Sequence, residues 1–420
     1  MALAFAYFTA RLLLFVDRYA VNLLFGDQWS YYLPLFAGES PLRLFFWQWG
    51  AHRVGLGYLA IWALAQVSGW DSRYEAFFSA ATVIVAALLA LWLKLRLAGR
   101  LSLWDVAIPA LCMTLFQYEV FLAAPALFNR VPLVLMLLYA LCLTLELSTL
   151  RYALLLVLNL LCLYTGYGLF LGLITPPLLV LELVKDARLQ AVKLCALGIS
   201  LASLAAFFHG YVVTPSVDCF VFPDPQPVRY LQFSAMEFET VLGFRHEFDW
   251  RSPLPLLALL VGAGACAWQT LRARDTRRAL PIAVLFACAF LFAANAAVGR
   301  VCLGLGAAHA SRYVNYLIPG FLGFYLMLAT LPGALARNGL SAAALAALLY
   351  FSAANAKVIS ERADFYFRKA AWADCYRQYE EIERCDQASK IELFAKPEEV
   401  DLPARLAYLK QHRLNLYKPG

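Results

Sequence analysis

The residues best placed to do chemistry appear early in the chain. Asp27 stands in Phe25-Gly26-Asp27-Gln28-Trp29, where the first apolar run ends. A carboxylate at the rim of a bilayer can act as general base toward a hydroxyl acceptor while a lipid-linked donor stays in the membrane beside it. The plainer reading is a turn or helix-end aspartate. His52-Arg53 comes next, read as the start of a helix that directs both side chains toward Asp27. The planar guanidinium of Arg53 suits charge-assisted, bidentate contacts with phosphate oxygens and could stabilise a departing phosphate, or it binds lipid headgroups. His52 taken alone reads as a hydrogen-bonded packing residue. Arg300, His309, Arg312 and Tyr313 gather near one later helix end, and Gln117, Tyr118, Glu119, Asn129 and Arg130 flank another turn. Glu119 is a second carboxylate of the site or, more plainly, a solvated helix-end charge. Trp29, Tyr31 and Tyr32 fit an interfacial aromatic belt equally well.

Other chemistries lack their motifs. The sequence has no phosphate loop, dinucleotide fingerprint, zinc-ligand spacing or nucleophile elbow. The nearest approach to an acidic metal-binding pair in the outer segments, Glu247-Phe248-Asp249, is weak ground for a divalent cation, so a mechanism without metal or cofactor is expected. The formal charge of +7 comes from Lys and Arg scattered over short loops, which argues against nucleic-acid binding.

The elements that must position these residues are membrane helices. Hydrophobic residues make up 62% of the 420 and charged residues 15%, against roughly a quarter charged in a soluble domain. A bilayer crossing takes about 20 mostly apolar residues, and such stretches recur to about residue 356. Backbone groups in lipid must be satisfied internally, and barrel-type alternation is missing, so the expected fold class is all-α, a polytopic transmembrane helix bundle. About eleven spans are expected, at 3–25, 76–93, 104–116, 131–147, 152–164, 169–184, 194–209, 253–271, 280–298, 313–331 and 340–356. Arg11 falls near the middle of the first, with no partner evident in the sequence. Asp17 and Arg18 are adjacent near its end. No secretory signal is evident, so the first run is expected to stay attached as a helix.

The stretch 51–68 decides the topology. If it does not cross, loops at 94–103, 148–151, 185–193, 272–279 and 332–339 share one side and hold 12 Lys/Arg in 39 residues. The segments opposite, 26–75, 117–130, 165–168, 210–252 and 299–312, hold 9 in 125. The positive-inside rule then makes 51–68 an interfacial or re-entrant helix on the outer face, with a cytoplasmic N-terminus and an outer C-terminus. Arg272, Arg274, Arg277 and Arg278 anchor that choice. The chain divides into a transmembrane domain, 1–356, with long outer loops at 26–75 and 210–252, and an extramembrane tail, 357–420, of nearly balanced charge. Both loops are aromatic-rich, which argues for order. Cys375 and Cys385 in the tail could pair if that face is oxidising, or remain thiols. Six other cysteines, Cys112 to Cys288, lie singly in apolar helices and read as packing residues.

This arrangement resembles the GT-C class of membrane glycosyltransferases, in which an outer loop after the first helix bears a catalytic acidic residue. Asp27 matches that position. Within the class the chain is most similar to a bacterial family of polytopic proteins with Asp-x-Trp in the first outer loop and His-Arg after it, here Asp27-Gln28-Trp29 and His52-Arg53. Gln117-Tyr118-Glu119, Ser311-Arg312-Tyr313 and a tail with paired Cys are also similar. The family pattern has an acidic residue before His-Arg where this sequence has Ala51. The resemblance implies transfer of a sugar from a polyprenyl-phosphate carrier to a glycan, lipid or protein acceptor on the periplasmic side of a bacterial inner membrane. Asp27 would be the base, while His52, Arg53, Arg312 and Tyr313 would hold the donor phosphate. Two other readings stand beside it: a transporter or flippase of lipid-linked sugars, which needs the same arginines, and a non-catalytic assembly protein, which needs no cavity at Asp27.

Overall fold

The computed structural model describes residues 1–123, 126–213, 217–273 and 275–418, leaving aside the side chains of 126–130, 358, 361–363 and 365. Arg274 and the side chains of Asn129 and Arg130 therefore lie outside the described residues. The chain is almost wholly helical. Six helical segments are long and apolar enough to cross a membrane: Ser72–Ala98, Leu103–Leu122, Gln190–Phe208, Pro253–Arg272, Ala279–Leu303 and Ala334–Ala354. Apolar helices Val131–Leu143 and Thr149–Leu163 are shorter.

The centre of the bundle is built on small residues. The helix Ser72–Ala98 buries Ala76, Ala80, Ala86, Ala87 and Ala90. Helices Ala279–Arg300 and Val314–Ala329 approach so closely that a Cβ on Gly320 would come within 3.0 Å of Ala289 Cβ. Lipid tails are as apolar as leucine, so close backbone approach and dispersion, rather than exclusion from water, must hold such helices together. The expected span at 104–116 is discontinuous: a helix ends at Cys112, and Thr114 Oγ1 accepts from Phe116 N at 3.3 Å to start the next turn.

The stretch 51–68 differs from expectation at its start. Residues 48–53 form a two-stranded hairpin, Gln48–Trp49 against His52–Arg53, turning at Gly50 with φ +53°. The helix begins only at Gly55, where any side chain would place its Cβ 1.8 Å from the Phe45 carbonyl oxygen. At 14 residues, Gly55–Ser68 is about 21 Å long, short of the ~30 Å hydrocarbon core. Its ends engage the same face of the bundle. Leu56 N donates to Tyr164 O at 2.8 Å at one end, and Asn415 N donates to Gly69 O at 3.0 Å at the other.

Two opposed faces result. Lys94, Arg96, Arg100, Lys185, Arg188, Arg277, Arg278 and Arg337 line two neighbouring cavities on the basic face. Asp27, His52, Glu119, Tyr167, Arg300 and Arg312 lie on the other, the site face. There the tail is no separate appendage: Trp372, Leu393, Leu402, Leu406 and Leu409 share one apolar cluster with Leu23, Trp29, Tyr31 and Tyr58. Buried Asn415 pins the two together, donating to Trp70 O at 2.7 Å and Asn22 Oδ1 at 2.9 Å. Trp29, Tyr31 and Tyr32 are buried in this layer and form no lipid-facing belt. Disulfides join Cys375 to Cys385 and Cys219 to Cys302.

Candidate functional site

Asp27 occupies the N-cap position of a single helical turn, Gln28–Tyr31, yet its side chain caps nothing and is exposed. A helix-end aspartate ordinarily accepts a backbone N–H of the first turn. Here the turn is fixed by other groups, which leaves the carboxylate uncommitted. Gly26 N donates to Leu393 O at 3.0 Å, and Gln28 Oε1 accepts from Phe25 N at 3.0 Å. Gln28 Nε2 and Tyr32 Oη donate to Glu75 Oε2 at 2.9 and 3.1 Å. Glu75 is buried, and buried Lys369 behind it donates to Leu122 O at 3.0 Å. Burial pulls the Lys369 ammonium down to about 7 against the opposing charge of Glu75. The tail thus braces the turn that presents Asp27.

Facing this turn is Ser311-Arg312-Tyr313, a single 3-10 turn that leads into the helix Val314–Ala329. Glu119 orients it: its Oε2 accepts from Ser311 Oγ at 2.9 Å and from Arg312 N at 3.0 Å. Glu119 N donates in return to Ser311 Oγ at 3.0 Å. The residue is therefore not a solvated helix-end charge but a second carboxylate beside Arg312. Burial opposes the charge of Arg312, but Glu119 first, then Tyr313, Asp27 and Tyr167, hold its proton more firmly than water would. Asp27 and Arg312 are close enough for their charges to act on one another, and Asp27 acts on Tyr167 as well.

An aromatic wall closes the cluster. Tyr167 packs on Tyr316 with ring centroids 4.5 Å apart, and Phe292 stacks on Tyr316 at 4.5 Å. Tyr313 is buried against Phe292 at 5.7 Å, and Arg312 lies over the Tyr313 ring. Arg300 ends its helix, where the helix dipole favours a cation, and its charge acts on His52, Tyr167 and Tyr313.

His52 and Arg53 part company because neighbours on a strand project to opposite faces. His52 turns to the cluster, its ring 4.2 Å from that of Tyr167. Burial and then Arg300 lower its pKa to about 4, so at neutral pH it offers an uncharged imidazole and no cationic hold on phosphate. Arg53 turns the other way and is buried. Its Nε donates to Phe207 O at 2.7 Å, Nη2 to His209 O at 2.6 Å, and Nη1 to Phe46 O. The guanidinium is spent on backbone carbonyls where the helix Gln190–Phe208 ends, so the expected donor clamp at Arg53 is corrected to a structural tie.

Gln117 is buried, with Nε2 donating to Cys112 O at 2.7 Å across the helix break. His309 belongs to an adjoining network that holds the 210–252 segment down. Its Nδ1 is 2.8 Å from Thr240 Oγ1 and its Nε2 3.0 Å from His246 O. Arg229 adds to that anchor through Asp224 at 3.3 Å and Val301 O at 2.9 Å, beside the Cys219–Cys302 bond. Arg11 lines a cavity of about 280 Å³ between the first helix, the break at Thr114 and the 356–360 segment.

Sequence reasoning missed three features. Tyr167 carried no signal beyond being a tyrosine in a four-residue turn. The Cys219–Cys302 pair joins residues 83 apart in two separate loops. Glu237, on the helix Val228–Thr240, is fully buried with neither carboxylate oxygen hydrogen-bonded, and its charge acts on Tyr313. Burial raises its carboxyl far above the carboxylate range. Among the described residues no group of three His, Cys, Asp or Glu is arranged to hold a metal ion. Comparisons with protein-family models, with curated proteins and with solved structures find no match.

Proposed function

We propose that the protein is a membrane glycosyltransferase that moves a sugar from a polyprenyl-phosphate carrier to an acceptor hydroxyl of a glycan, lipid or protein. The observation that carries this reading is the exposed, uncommitted carboxylate of Asp27 within electrostatic range of Arg312, beside an aromatic wall. Asp27 takes the acceptor proton. The acceptor oxygen bonds to the anomeric carbon as the bond to phosphate oxygen breaks on the opposite side, inverting the configuration. The electron pair departs on the phosphate, whose charge Arg312 holds directly and Arg300 supports from behind. Tyr167, half-buried at the edge of this wall, offers its ring to a sugar. The scheme uses no cofactor.

The reading places the chain in a bacterial inner membrane with about eleven spans, a cytoplasmic N-terminus and a periplasmic C-terminus. The basic residues on one face support that orientation, as do two disulfides on the other, since such bonds persist in oxidising compartments. A transporter of lipid-linked sugars is the second reading, favoured by the buried, unpartnered Glu237 and the interrupted 103–122 segment. Purified protein in vesicles that hold a polyprenyl-phosphate sugar and a hydroxyl acceptor separates the two. A transferase releases free polyprenyl phosphate in step with glycosylated acceptor; intact lipid crossing between leaflets with no product contradicts the proposal.

A further inference from the structure

The basic face carries two cavities that differ in kind. The larger, about 590 Å³, is lined by four carboxylates, Glu146, Glu182, Asp186 and Asp275, and by four cations, Lys185, Arg188, Lys193 and Arg277. The two signs are equal in number and most of the groups have partners: Arg188 pairs with Asp186 at 2.7 Å, Arg277 with Asp275 at 2.8 Å and Glu182 with Arg151 at 2.6 Å, while Lys185 and Lys193 donate to backbone carbonyls. A balanced site has no net attraction for an ion. The smaller cavity, about 270 Å³, is ringed by Lys94, Arg96, Arg100, Arg278 and Arg337 with no carboxylate in its lining. Lys94 is neutralised by buried Asp105 at 2.8 Å, which leaves four guanidinium groups. Among the described residues none of these four pairs with a carboxylate. Two of them make long hydrogen bonds to the protein: Arg96 Nε donates to Thr144 Oγ1 at 3.5 Å and Arg337 Nη1 to Leu331 O at 3.5 Å.

Helix ends of both signs meet here: the helices Ser72–Ala98 and Val314–Ala329 bring their negative ends to the cavity at Ala98 and Ala329, and two others begin there. Arg278 precedes Ala279–Arg300, and Gly333 precedes Ala334–Ala354; neither helix has an acidic residue in its first turn to offset its positive end. The ends of opposite sign offset, so the excess positive charge is that of the four guanidinium groups, Arg96, Arg100 and Arg278 exposed among them, and an anion entering the cavity meets no carboxylate in its lining. Beside the cavity, the Ala334–Ala354 helix that carries Arg337 and Ser341 is mostly exposed along its apolar length, with Leu335 90% and Leu340 46% accessible. A ligand with a phosphate head and an acyl tail would satisfy both features at once.

We propose that this cavity is a binding site for the phosphodiester headgroup of an anionic phospholipid, with Arg278 and Arg337 forking the phosphate oxygens and the acyl chains running along the 334–354 helix. The site lies on the face opposite Asp27 and does not depend on the proposed transferase activity. It is tested with the full chain in nanodiscs of phosphatidylcholine alone or mixed with phosphatidylglycerol, by counting lipids retained in native mass spectrometry. The double substitution Arg278→Lys with Arg337→Lys preserves charge and membrane topology but removes the planar forks, and Arg188→Lys in the balanced cavity serves as control. Selective retention of phosphatidylglycerol, weakened roughly tenfold by the double substitution and unchanged by the control, is the expected result. Equal retention by the parent and the double variant means diffuse attraction to a basic surface and overturns the proposal. Inorganic phosphate that displaces the lipid at comparable concentration makes this a site for a soluble phosphate compound and likewise overturns it. If the double variant fails to fold, Arg278→Gln alone is read against the same lipids.

Discussion

Two arginine-bearing turns on the site face show how little an arginine's neighbours in sequence say about its task. Arg53 follows a histidine in a hairpin and gives its guanidinium to three backbone carbonyls, tying 46–53 to the end of the 190–208 helix. In the 311–313 turn the carboxylate of Glu119 accepts from the backbone N–H of Arg312 and from Ser311, while its charge steadies the guanidinium. That division of labour leaves the arginine head available beside Asp27. One turn spends its cation on the fold, and the other spends a carboxylate to hold a cation in readiness.

The sharpest way to break this contrast is to remove the group that the second turn faces. Asp27→Asn is expected to lower glycan transfer by about 10²- to 10⁴-fold, the range for loss of a general base, while melting and membrane insertion stay as in the parent. Near-parental turnover would remove Asp27 from the chemistry. The two arginines should then fail in different assays. Arg312→Ala is expected to cost on the order of 10²-fold in kcat/KM for the lipid donor with little change in thermal stability. Arg53→Ala strands three carbonyls and is expected to cost at least about 3 kcal/mol of stability, with donor affinity of the surviving folded protein unchanged. If Arg53→Ala weakens donor binding while leaving stability alone, the assignments are reversed. Glu119→Gln keeps an acceptor but removes the charge, and about 1 kcal/mol of stability with a several-fold loss of turnover is expected. A loss as large as that of Asp27→Asn would instead make Glu119 the base.

The smallest effect concerns His52. Its folded pKa, about 4, lies below the ordinary histidine value, so the unfolded chain binds the proton more readily between about pH 6.5 and 4. Stability is then fully present above pH 6.5 and declines as pH falls through that window. The melting temperature in detergent should fall less steeply over that range in His52→Gln than in the parent. Parallel curves would mean that His52 is not buried as described.

The sequence disclosed the helical, membrane-type composition and the segregation of basic loops, because both follow from repeated local chemistry. Asp27 and the Ser311-Arg312-Tyr313 turn were also legible, as charges at the ends of apolar runs. What failed was direction. A helix starting at residue 51 would have set His52 and Arg53 about 100° apart, whereas the 48–53 hairpin, which precedes the helix at Gly55, sends them to opposite faces. The two readings of Glu119 could not be separated for a related reason: its partners lie 192 and 193 residues away, and nothing near it announces them. Glu237 sits on a short polar-looking helix of a long loop, and its burial follows from tertiary packing of that helix, against Pro253–Arg272 and Leu305–His309 as well as Ala279–Arg300 and Val314–Ala329.

The central claim is that Asp27 and Arg312 act as one unit, and a double-mutant cycle of Asp27→Asn and Arg312→Gln on polyprenyl-phosphate release tests it most directly. The account expects the double variant to be little slower than the worse of the two single variants. Losses that multiply would show two groups working independently and would contradict it.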